Sequence, residues 1–94
     1  MKEAEIYMAA LKQWGSDAQT LMVFEEMSEL QKELCKNARG RQNKEAIAEE
    51  IADVSIMLGQ MILLHDCARE VEEQKAQKLK RLEARIKAVK EEPA

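Results

Sequence analysis

The sequence predicts an all-α fold: an antiparallel bundle of about four helices, completed by oligomerisation. Three observations carry that expectation. Only three glycines and one proline punctuate 94 residues. Runs of β-branched residues are absent, and apolar residues recur every three or four positions, the period of a helix with one buried face. The first helix is expected over about residues 2–14, with Tyr7, Leu11 and Trp14 on one side. It stops at Gly15, which can take a left-handed position. Ser16 is placed to cap the second helix, with Gln19 completing a capping box. That helix runs from about residue 17 to 37, and its Phe24, Met27 and Leu30 read as core. The segment NARGRQN, 37–43, is the one clear loop, and Asn43 is the expected cap of a third helix over about 44–65. The stripe of that helix is Ile47, Ile51, Val54, Leu58, Met61 and Ile62. A break at His65-Asp66, with Asp66 as cap, opens a fourth helix over about 67–91. It carries Val71, Leu79, Leu82, Ile86 and Val89 and ends before Pro93.

A chain of 94 residues points to a single domain spanning 1–94. Its modest core makes a second copy of the chain a natural source of further burial. Charged residues make up 35% of the chain, yet the net charge is only −3, which argues against the basic surplus of a nucleic-acid binder. With Tyr7, Trp14 and Phe24 as the only aromatics, a base-stacking platform is not expected either. No apolar run approaches the roughly twenty residues of a membrane span. The opening MKEAEIYMAA lacks the apolar region of a signal peptide, so a cytoplasmic location is expected. Cys35 and Cys67 have no CxxC spacing. With His65 the only histidine, they make no Cys/His zinc site and are expected to be reduced, partly buried thiols.

The chemistry concentrates in FEEMSEL, 24–30, and EEIADV, 49–54. Helix positions three apart point within about 60° of each other. Glu26 and Glu29 therefore share a face of the second helix, and Glu50 and Asp53 share a face of the third. Both pairs flank an apolar stripe instead of lying opposite it. If the two helices pack antiparallel, four acids converge at one edge of the seam. So many anions need compensation. Hard oxygen ligands suit Mg²⁺, with Mn²⁺ as a substitute. Glu25, one step round the helix, is placed to activate a water. The ordinary reading is a solvated face whose acids pair with lysines. A di-iron bundle would want Glu-x-x-His twice, and His65 alone cannot supply it.

E-E-x-x-E followed, twenty residues on, by E-x-x-D resembles the signature of the MazG-like, all-α nucleoside triphosphate pyrophosphohydrolases, in particular the small single-domain members of bacteria and phages. Here the pattern is Glu25-Glu26-x-x-Glu29 and Glu50-x-x-Asp53; the stretches SELQKELCKNARGR, 28–41, and IAEEIADVSIMLGQ, 47–60, also look like those members, and the likeness covers about residues 14–86. The resemblance implies cleavage of an NTP or dNTP between the α and β phosphates, giving the monophosphate and pyrophosphate, in nucleotide-pool house-cleaning. It maps metal ligation onto Glu26, Glu29, Glu50 and Asp53, and makes Glu25 the candidate catalytic base. Lys78 and Arg81, in QKLKRLEAR, match a K-x-x-R phosphate patch of the family. It also implies a homodimer or homotetramer.

Beyond the motif, Lys36, Arg39 and Arg41 surround the loop and are candidates to close over phosphates, and Trp14 is a candidate to stack on a base. The plainer readings are solvated loop cations and a helix-end tryptophan in the core. His65 is expected to pack or cap. The competing function class is a non-catalytic helical interaction protein that zips through Leu79, Leu82, Ile86 and Val89. That reading leaves the paired acids without a purpose.

Overall fold

A computed structural model describes residues 1–91. Four helices follow in order: α1 (Glu3–Trp14), α2 (Ser16–Ala38), α3 (Lys44–Leu64) and α4 (Ala68–Glu91). Among the described residues there is no strand, and no helix is long and apolar enough to cross a membrane. Pro93, expected to end the last helix, lies outside the described residues.

Backbone chemistry sets the breaks. Gly15, at φ 91°, is at once the last cap of α1 and the first of α2. Ser16 is already helical, no side chain caps α2, and the anticipated capping box does not form. Gln19 instead turns inward to Gln60. At the other end of α2, Gly40 at φ 99° closes a Schellman motif, with its N–H donating to the Asn37 carbonyl and that of Arg41 to the Lys36 carbonyl. Asp66 does the same for α3. At φ 49° it is a left-handed residue, with Asp66 N–H on Leu63 O and Cys67 N–H on Ile62 O. Asp66 therefore ends α3 and does not cap α4. Asn43 holds the first-cap position of α3, but its side chain bonds elsewhere.

The principal packing is α2 against α3, antiparallel, with α1 laid across both. Gln19 Nε2 donates to Gln60 Oε1 at 2.7 Å near one end of the pair, and Asn43 Nδ2 donates to Glu33 O at 2.9 Å near the other. Val23, Val54 and Met57 are buried between them. Gly59 admits the Tyr7 ring of α1, where a Cβ would collide with ring carbons.

The fourth helix does not close the bundle within one chain. It touches α3 alone, and residues 68–90 are all exposed. The molecule consequently measures 57 × 36 × 23 Å, with a radius of gyration of 17.4 Å; a compact chain of this length would have about 12 Å. Several residues read as core face solvent: Phe24 is 62% exposed, with Met27, Ile51 and Leu58 also exposed. The two cysteines are free, and Cys35 is exposed, contrary to the expected partial burial.

Candidate metal centre

The antiparallel register decides which acids meet. Seven residues, two helical turns, separate Gln19 from Glu26 on α2 and Asp53 from Gln60 on α3. Stepping two turns inward from the glutamine pair therefore sets Glu26 opposite Asp53. Glu50, one turn along α3 from Asp53, joins them. One carboxylate oxygen from each of Glu26, Glu50 and Asp53 lies within 4.8 Å of the others, and all three residues are half-buried at the seam.

No cation among the described residues pairs with these acids. Among the described residues the ion pairs are Lys36–Glu33, Arg69–Glu73 and Lys87–Glu83, and none involves the three acids. The reading of a solvated, lysine-paired face therefore does not describe them. Burial is the largest cause holding the Glu26 carboxyl above its ordinary value of 4.5. The charges of Asp53, Glu50 and Glu25 add to it, as does the Asp53 carboxyl as acceptor for a protonated Glu26. Glu50 is raised as well, first by burial and then by Asp53, Glu29, Glu49 and Glu33. Its Oε2 is buried with no hydrogen-bond partner among the described residues.

These observations fit a hard divalent cation. An oxygen-only donor set from three carboxylates, one of them with a buried oxygen that no donor of the described residues meets, suits Mg²⁺ or Mn²⁺. Glu26, Glu50 and Asp53 would hold the ion. Glu29 is exposed and outside the three, although its charge is felt at Glu50. Glu25 is exposed beside Glu26.

The other candidates stand apart from this centre. Lys36 is paired with Glu33 at 3.1 Å, and Arg39 is the exposed C-cap of α2. Glu33 also accepts from Asn43 Nδ2 at 3.0 Å, and these two bonds hold its carboxyl below the ordinary value. Trp14 ends α1 and is 61% exposed, so it is not a core residue of this chain. Lys78 and Arg81 are exposed on α4 and are not brought to the acids by any contact of α4 with α2.

Sequence reasoning passed over the buried Gln19–Gln60 pair. The signal was present: two glutamines, each on the apolar stripe of its helix. The capping-box pattern around Ser16 masked the first.

In comparison with known proteins, no family model, no curated protein and no solved structure matches the chain.

Proposed function

We propose that this chain is a Mg²⁺-dependent nucleoside triphosphate pyrophosphohydrolase, cleaving an NTP or dNTP to the monophosphate and pyrophosphate in nucleotide-pool house-cleaning. The observation that carries the reading is the convergence of Glu26, Glu50 and Asp53, from two separate motifs, with no ion pair to any of them among the described residues. A bound Mg²⁺ supplies neutralisation of the charge that develops on the phosphate oxygens. The protein's own work is placement. Glu26, Glu50 and Asp53 would hold the ion at the seam of α2 and α3. Glu25, exposed one residue away, accepts a proton from the attacking water. Glu29 shapes the field at Glu50. Lys78 and Arg81, with Lys36 and Arg39, stand apart from the acids in one chain and would meet the phosphates only in an assembled oligomer, Arg as a planar fork and Lys as a point charge. Trp14 offers an exposed indole to a base.

Assembly as a cytoplasmic homodimer or homotetramer belongs to the same reading. The chain exposes 7887 Å², whereas a compact monomer of its mass exposes about 5,500 Å². The excess is of the size that an obligate interface buries.

A second reading, a non-catalytic helical interaction protein, is favoured by one observation: α4 offers Leu79, Leu82, Ile86 and Val89 to solvent along one stripe. Pyrophosphate release from a panel of NTPs and dNTPs, with and without Mg²⁺, separates the two. Metal-dependent release that disappears in Glu50→Ala and Asp53→Ala supports the enzyme. Absence of release from every nucleotide, together with an unchanged melting temperature on adding Mg²⁺ or Mn²⁺, supports the interaction protein.

A further inference from the structure

Gln19 and Gln60 are 7% and 5% exposed, and they are the buried polar residues of the chain among those described. Their side chains bond each other across the α2–α3 seam at 2.7 Å, and Gln60 Nε2 also lies 3.8 Å from Met57 Sδ. A buried amide pair joined by one hydrogen bond contributes little to stability beyond what an apolar pair of the same shape would give. What it supplies is position, because any slip of the helices leaves amides buried and unpaired. The apolar residues beside it, Val23, Val54 and Met57, tolerate sliding far better.

The pair lies two turns, about 10 Å, from the acid centre on both helices. Toward the other end of the seam, Asn43 Nδ2 donates to Glu33 O and Oε1. Polar contacts thus bracket the stretch where Glu26, Glu50 and Asp53 repel one another. We infer that the Gln19–Gln60 pair is a positioning device for the acid centre, holding α2 and α3 in the register that sets Glu26 opposite Asp53 against the mutual repulsion of the carboxylates. The inference rests on the metal-site reading above.

The test is Mn²⁺ binding by the full chain, followed by calorimetry, alongside thermal melts of the metal-free protein. The variants are Gln19→Leu/Gln60→Leu and, as a control in the same seam with no bond to either glutamine, Val23→Ala. The double variant is expected to keep its helical signal and melt no lower than the parent, while its dissociation constant for Mn²⁺ rises about 10-fold or more, the size of effect seen when groups behind metal ligands are removed. Val23→Ala is expected to melt lower but to bind as the parent does. A double variant that binds Mn²⁺ like the parent overturns the positioning role and leaves the metal centre standing. A double variant that unfolds assigns the pair an ordinary stabilising role and overturns it too. A parent chain that does not bind Mn²⁺ removes the metal reading, and this inference with it.

Discussion

At the scale of single residues, the three acids differ from their neighbours by where the register puts them. Removing charge from Glu26 or Glu50 relieves repulsion in the metal-free protein, so Glu26→Gln and Glu50→Gln are each expected to raise its melting temperature by a few degrees while lowering metal-dependent turnover by at least ~100-fold. A lower melting temperature for both would contradict the clustering. Glu29→Ala, outside the three, is expected to lose less, about 10-fold; kinetics of the three variants side by side decide the ranking. The pH dependence has a definite sign. Glu26 and Glu50 are raised above 4.5 in the folded state, so they bind protons more readily there than in the unfolded chain. Their contribution is fully present below the unfolded value and is lost as pH rises through the folded one. Glu33 is lowered, and its contribution is lost as pH falls through its folded value, below 4.5. The metal-free melting temperature is therefore expected to climb as pH drops from 7 toward the range just above 4.5, then to fall at more acid pH. Saturating Mg²⁺ is expected to abolish the climb, since protons and metal compete for the same oxygens. Melts from pH 4 to 7, with EDTA and with Mg²⁺, read this directly.

At the scale of elements, Gly59 carries the docking of α1. A methyl added there would run into the Cδ2–Cε2–Cζ edge of the rigid Tyr7 ring, not into the end of a flexible chain. Gly→Ala inside a helix normally gains about 1 kcal/mol, whereas overpacking costs about 1–3 kcal/mol. Gly59→Ala is expected to destabilise the parent but to stabilise a Tyr7→Ala background; a sign that stays the same in both backgrounds would show that the ring is not what limits the site. The elements also show how far the sequence could be read. Helix order and ends were legible because Gly15 and Gly40 do locally what glycine does anywhere. Asp66 was not, since an aspartate serves equally well before a helix or after one, and only the Leu63 and Ile62 carbonyls reveal which. Gln19 was misplaced for a related reason: a local cap and a tertiary partner compete for the same amide, and the partner lies 41 residues away. In the candidate site, the i,i+3 spacing pointed to both acid pairs. Spacing treats Glu26 and Glu29 alike, however, and it takes the interhelical register to bring one to Asp53 and leave the other in solvent.

At the scale of the whole molecule, the fourth helix raises the question that a single sequence leaves open. Leu79, Leu82, Ile86 and Val89 require cover, but an apolar stripe does not say whether that cover comes from its own chain. Here it does not, because α4 touches only α3. The buried hydrophobic residues of one chain are Val23, Val54 and Met57, a small core for 94 residues. The unsatisfied apolar surface lies on several elements at once: Leu21, Phe24 and Leu34 on α2, Ile51 and Leu58 on α3, and the stripe of α4. The chain exposes 7887 Å², about 2,300 Å² more than a compact monomer of its mass. A standard interface removes about 800 Å² from each partner, and obligate ones remove more, so the excess matches one large contact or about three ordinary ones. Light scattering at micromolar concentration is expected to give at least twice the 10.8 kDa of the single chain. Replacing Leu79, Leu82 and Ile86 together by Ser is expected to lower that mass and the melting temperature in parallel, because a helix of α4's composition has little to hold it in water without a packed face. A parent that runs as a 10.8 kDa monomer with an undiminished, cooperative melt would mean that the three buried hydrophobic residues among those described suffice, and the covering role assigned to further copies would fall.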